Sequence, residues 1–301
     1  MDYRHMKKVV PKEVPLPQNP SHQLPLTSQS TSHGGLAQRI HRVLFGLFLA
    51  QFALVWVNLW LPVPGLGSAR WPDGLLLVLA TATTLASLAR QLPGQNVMLA
   101  SMLIAIIGGA VPSVGAIVAI PVGPSVYGGR LGPQLFCPLR WAAAMLWLVA
   151  ILTSRGVAGL ILGRWRARRD YGLRVIGLSV MLAGVFELGL EPFATEVKRY
   201  WLWHPAQARL EWYGTPWISF LGSAAAAMLI LVAVTPALIN KKPVEQTPQC
   251  HPLMVWVLMN LLFATGAAAR RLWQAAVLAL LASLVVAAFA TRARGRARQM
   301  G

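Results

Sequence analysis

The chain has 301 residues and only nine acidic ones, four of which (Glu187, Glu191, Glu196 and Glu211) fall between positions 187 and 217. Four of its twelve tryptophans, Trp201, Trp203, Trp212 and Trp217, share that stretch. Glu187 and Glu191 are four residues apart, so on a helix both carboxyls project from one face. A carboxyl group in apolar surroundings is a candidate proton donor, and an aromatic ring face can steady a cation. The stretch therefore holds the materials for acid–base work on an apolar molecule. The structural alternative is a glutamate bonded to another helix, for example to Arg140. An ionisable group at membrane depth is costly unless paired or hydrated, which makes both acids functional candidates.

The rest of the sequence dictates what must position these groups. It is 56% apolar and 12% charged, with a mean hydropathy of +0.55, whereas a soluble domain carries about 25% charged residues. The fold class expected is an all-α integral membrane protein. Apolar runs suited to crossing about 30 Å of hydrocarbon as helix lie near 41–61, 74–90, 97–118, 138–155, 171–190, 217–239, 252–269 and 272–290. That makes a bundle of about eight transmembrane helices. Seven is the alternative if Arg270-Arg271 is not a tight turn between the last two. Residues 1–38, rich in Pro, Ser, Gln and Lys, read as a disordered cytoplasmic tail. Residues 39–291 form the polytopic helical membrane domain, and 292–301 a basic C-terminal tail. Gly108, Gly109 and Gly115 in the third span are expected to allow close helix packing.

A net charge of +18 does not indicate nucleic acid, because the Lys and Arg residues are spread between apolar spans. Most of them fall on one set of alternating loops, which places both termini in the cytoplasm. The run GRWRARRDYGLR in the fourth loop reads as an anchor on anionic lipid. Cys137 and Cys250 are far apart and form no metal or disulfide pattern. His204 reads as an interfacial polar group and not as a metal ligand. No nucleotide-binding, zinc-peptidase or hydrolase motif occurs.

Two loops remain as carriers of chemistry. Pro192 disfavours helical geometry at Glu191, which puts the end of the fifth helix there. Beyond it, Phe193, Val197 and Trp201 would share one face of a short interfacial helix, with Glu196, Lys198 and Arg199 on the other. The run from Trp201 to Trp217 would then form a ring-lined pocket for a long apolar ligand, the alternative being an interfacial aromatic belt. The loop over residues 119–137 is rich in Gly and Pro and contributes Tyr127 and Arg130. Two crossings separate it from the Glu187–Trp217 stretch, so both face the same side.

At these residues the sequence resembles the carotenoid-biosynthesis membrane protein family that includes the γ-carotene and bacterioruberin-type carotenoid hydratases. One block appears as Pro121-Val122-Gly123, Tyr127, Leu131-Gly132-Pro133 and Pro138-Leu139-Arg140-Trp141. A second appears as Glu191-Pro192, Trp201, Trp203, Tyr213-Gly214, Pro216, Ser219-Phe220 and Gly222. The chain departs from the family pattern at Pro112, where an acid is expected, and at Val122, Arg140, Ser219 and Ser223.

The resemblance implies hydration of the terminal ψ-end double bond of an acyclic or monocyclic carotenoid, by protonation to a tertiary carbocation and capture of water. Glu191 is the first candidate for the catalytic acid and Glu187 the second. Trp201, Trp203 and Tyr213 are candidates to face the cation, Tyr127 and Glu211 to position water, and Trp141 and Trp217 to line the substrate site. No cofactor or metal is needed. The expected partners are a carotenoid or other polyisoprenoid lipid, membrane lipid and other enzymes of the pathway. The expected location is a bacterial inner membrane with the N-terminus cytoplasmic. The alternative is a carotenoid- or lipid-binding protein, permease or scaffold without catalysis.

Overall fold

The computed structural model describes residues 30–61, 71–118, 125–128, 134–136, 139–203, 210–238 and 250–299. Eight helices among them are long and apolar enough to cross a membrane. They are α1 (Ser30–Trp60), α2 (Trp71–Ala89), α3 (Gly94–Val118), α4 (Trp141–Ile161), α5 (Tyr171–Pro192), α6 (Trp217–Val234), α7 (His251–Ala269) and α8 (Trp273–Gln299). Helices are the expected answer, since lipid offers no partner for an unpaired backbone group. Six strands of two or three residues lie in the connections: β1 (Ser125–Tyr127), β2 (Gln134–Phe136), β3 (Leu139–Arg140), β4 (Trp201–Trp203), β5 (Glu211–Trp212) and β6 (Thr215–Pro216). All three pairings, β1–β4, β2–β3 and β5–β6, are antiparallel.

Helix α4 is the hub, packing against α2, α3, α5, α7 and α8, while α5 also meets α6, α7 and α8. Phe186 of α5 and Phe263 of α7 meet edge to face at 5.1 Å, and both are almost fully buried. In α3, Gly108 does what its size suggests. A Cβ there would lie 2.6 Å from Cβ and Cγ of Trp147 on α4.

The turn expected at Arg270-Arg271 is present. Arg271 takes a positive φ of 62°, and α8 follows at Trp273. The described residues thus hold eight helices of membrane-crossing length, not seven. Two ends differ from expectation. Helix α1 begins at Ser30, inside the stretch read as tail, and its membrane-length part starts at Gln38; residues 1–29 lie outside the described residues. Helix α4 runs on to Ile161, so Arg155 is part of the helix and not of the loop after it. Its guanidinium reaches the carbonyl of Leu238 beyond α6 at 3.1 Å. A long side chain that ends on a backbone carbonyl lets a cation lie within an otherwise apolar span.

Candidate functional site

The site is built where α5 ends, and the helix does not stop at Glu191. Pro192 keeps helical angles (φ −61°, ψ −34°), and a π turn over Phe193–Val197 continues it. Proline brings no N–H to bond the carbonyl four residues back, which is that of Leu188. Trp212 supplies the missing donor, its indole Nε1 lying 3.0 Å from the Leu188 oxygen. The freed carbonyl is thus satisfied from another segment, and the helix survives its proline. The expected interfacial helix is absent for the same reason. Phe193 is buried as part of the α5 continuation, and Trp201 lies in a strand.

Chain reversal follows at Arg199, which has a positive φ of 54°. The N–H of Tyr200 returns to the carbonyl of Ala194 at 2.7 Å, a wrap of the kind that closes helix C-termini. Strand β4 then pairs with β1 in the register Ser125–Trp203, Val126–Leu202 and Tyr127–Trp201. The two loops expected on one side are therefore hydrogen-bonded to each other. Gly128 completes the join by donating its N–H to the Tyr200 carbonyl at 2.7 Å. A Cβ at Gly128 would sit 2.6 Å from the Arg199 carbonyl oxygen, closer than a side chain tolerates. Lys198 pins the same turn to the start of α2, with Nζ 2.8 and 3.1 Å from the Asp73 carboxylate oxygens.

A second hairpin supplies the remaining wall. Strands β5 and β6 are joined by Tyr213-Gly214, both at positive φ (48° and 77°), the geometry of a two-residue type I′ turn. It delivers Thr215, fully buried, to Glu191.

Glu191 is 5% exposed and is held by three donors from two strands of the α5–α6 connection, β4 and β6. Trp201 Nε1 (3.1 Å), Trp203 Nε1 (3.0 Å) and Thr215 Oγ1 (3.1 Å) all donate to its Oε2. Among the described residues no donor reaches Oε1. When the group is protonated, Oε2 is the carbonyl oxygen and the O–H lies on Oε1. When it is ionised, the same three donors stabilise the charge.

Glu191 and Glu187 open on a cleft of about 880 Å³, its mouth included, between α3, α4, α5, α6 and β4. Its apolar walls include Val111, Leu146, Trp147, Phe186 and Leu190. Trp201 and Trp203 close one end beside Glu191, and Ser219 and Ser223 border it from α6. Glu187 is half-buried, and Ser223 stands beside its carboxyl. The cleft is a mostly apolar enclosure with a few convergent polar groups, the usual make-up of a small-molecule site.

Of the residues expected in the site, Glu187, Glu191, Trp201 and Trp203 are brought together here. Tyr127 is in β1 opposite Trp201, with its side chain outside the described residues. The side chains of Arg140 and Pro112 and all of Arg130 and His204 also lie outside them. The other four are placed away from the cleft. Glu211 is exposed at the hairpin edge. Tyr213 packs on Trp212, ring centroids 5.0 Å apart, against the α7–α8 turn. Trp217, 42% exposed, is on the outer face of α6. Trp141 packs beside Gly74 of α2. Thr215 and Trp147 carry no sequence signal of their own, and Ser219 and Ser223 stand out only as departures from the family pattern. On α6, the helical period that points Ser219, Ser223 and Ala227 inward and Trp217 and Leu221 outward could have placed them on an inner face.

The family model described as carotenoid biosynthesis protein matches residues 73–286, a segment that contains every residue of this cleft. The chain belongs to the carotenoid biosynthesis protein family. No curated protein and no solved structure matches it. Membership in the carotenoid biosynthesis protein family gives the chain a carotenoid or isoprenoid lipid context.

Proposed function

We propose that the protein adds water across the terminal ψ-end double bond of an acyclic or monocyclic carotenoid. The observation that carries this reading is the convergence of three donors on one oxygen of Glu191, with no donor among the described residues on the other oxygen, beside an apolar cleft. In the forward step the Oε1–H bond breaks as the alkene π pair forms a C–H bond at the inner CH carbon of the double bond. The dimethyl-substituted terminal carbon becomes a tertiary cation, and the Glu191 carboxylate keeps its three donors. Trp201 and Trp203 line the cleft beside Glu191, and an indole face presented to a desolvated cation is worth up to about 2 kcal/mol. A water oxygen then forms the C–O bond and releases a proton to Glu187. Passage of that proton between the two carboxyls, four residues apart on one helix face, restores the starting state.

In this reading the chain sits in a bacterial inner membrane with its N-terminus in the cytoplasm, as the bias of Lys and Arg among the loops favours. The cleft then lies in the outer half of the bilayer, where the product meets other enzymes of the pathway.

The test is expression in bacteria that accumulate lycopene, followed by pigment chromatography with mass detection. The wild-type chain should add the mass of one water per reacted end. The variant E191Q keeps an oxygen for the three donors and removes the proton donor, so it should lose about 100-fold or more of the activity. Full hydration by E191Q would remove Glu191 from this role. A polyene of unchanged mass in wild-type cells would favour a carotenoid-binding protein, permease or scaffold using the same cleft.

A further inference from the structure

A hydroxyl group in an apolar helix ordinarily bonds back to the carbonyl four residues earlier. Thr84, Ser101, Ser113, Thr153, Ser179 and Ser283 all do so here. Ser219 and Ser223 do not, although they are 1% and 3% exposed and lie within α6; the buried hydroxyls of Thr81, Thr83 and Ser154 lack that bond too, but none of those three borders the cleft. Both border the cleft, four residues apart on one face of α6, and so match the spacing of Glu187 and Glu191 on α5. Around them the lining is made of Ala224, Ala227 and apolar side chains of α3 and α4. The two hydroxyls are thus polar groups on the cleft wall that serve neither a backbone bond nor a helix cap.

We propose that Ser219 and Ser223 bind and orient the water that captures the substrate cation, with Glu187 receiving its proton. The proposal rests on the hydration reading above. It assigns the two halves of the reaction to two walls: β4 and Glu191 handle the proton that goes onto carbon, and α6 with Glu187 handles the water. Two hydroxyls and a carboxylate give one water up to three partners in an otherwise apolar space, as an ordered buried water requires. Without a held water, the cation has another exit. A neighbouring C–H bond breaks, its electron pair re-forms C=C, and the proton returns to a carboxylate, so that the polyene leaves unhydrated.

This exit is the readout. Membranes containing the protein are incubated with lycopene in D2O, where the carboxyl proton exchanges for deuterium. In S219A/S223A hydrated product should fall by about tenfold or more, the scale of a misplaced reactant. Deuterium should still enter unhydrated polyene at or above the wild-type rate. Thermal unfolding in detergent checks the fold, and if the double variant does not fold, S219A and S223A are read singly in the same way. Wild-type hydration by these variants overturns the proposal. So does loss of hydration and deuterium entry together, which would give the hydroxyls to the proton step or to packing. Absence of water gain by the wild-type chain overturns the hydration reading itself, a result that no serine variant can mimic.

Discussion

At one end of the bundle a carboxyl is buried beneath three donors; at the other an imidazole is buried with none among the described residues. His41 of α1 is 1% exposed, and neither ring nitrogen reaches a described partner at hydrogen-bond geometry, although the Thr83 backbone lies alongside. What surrounds it is rings. His251 of α7 meets it edge to face with centroids 4.3 Å apart, and Phe45 is edge-on to His251 at 5.1 Å. An imidazole has a flat face to pack and gains from such contacts. A carboxyl has no aromatic face, and burial without donors costs it far more. The difference lies also in where the neighbours come from. Those of His41 are helix faces that meet as the bundle forms. The donors to Glu191 come from β4 and β6, two strands that exist only because of a strand pairing, a left-handed turn and a hairpin. The bundle alone would accommodate His41, whereas the Glu191 arrangement needs loops built for it.

That contrast is most sharply broken at Gly128. In G128A the new methyl meets the Arg199 carbonyl, a backbone group with no freedom to rotate away. Strand β4 must shift, and Trp201 and Trp203 shift with it. The expected result is a loss of about 1–3 kcal/mol in unfolding free energy, read in detergent, together with a drop in hydrated carotenoid larger than that stability loss explains. A variant of normal stability and normal activity would mean that β1 does not position β4.

A milder cut removes one donor only. W203F keeps a ring beside the cleft and deletes a single N–H from Glu191 Oε2, leaving Trp201 and Thr215 in place. The cost expected is about 1 kcal/mol of stability, with hydration reduced several-fold and not abolished. If W203F were as damaging as E191Q, the three donors would be acting as one unit.

How much of this could be read from the sequence follows the same division. The spans, the tight turn at Arg270-Arg271 and the acid-and-ring island depend on local composition and period, and these are visible in one chain. So was the shared side of the 119–137 loop and the Glu187–Trp217 stretch, because membrane crossings alternate. Pro192 misled because its effect on the helix is decided by Trp212, twenty residues later, whose N–H takes the Leu188 carbonyl. Trp217 and Trp141 belong to the same aromatic population as Trp201 and Trp203, and only helix rotation and strand pairing separate the two outside the cleft from the two inside it. Ser219 and Ser223 were legible as departures from a family pattern, but that they share a wall with both glutamates is a fact of helix packing.

The weakest perturbation should be the one at the opposite end. H41F replaces a ring by a ring, retains the contacts with Phe45 and His251, and removes two nitrogens that bond nothing among the described residues. Removing a buried polar group that has no partner is close to neutral and can be stabilising. H41F is therefore expected to unfold within about 1 kcal/mol of wild type and to hydrate carotenoid at the wild-type rate, as measured by the same detergent unfolding and pigment assays. A strong loss of activity without loss of stability would mean that the His41 end communicates with the cleft through α4, the helix that packs against both α2 and α5. The two ends could then no longer be treated as independent solutions to burying a polar group in a membrane.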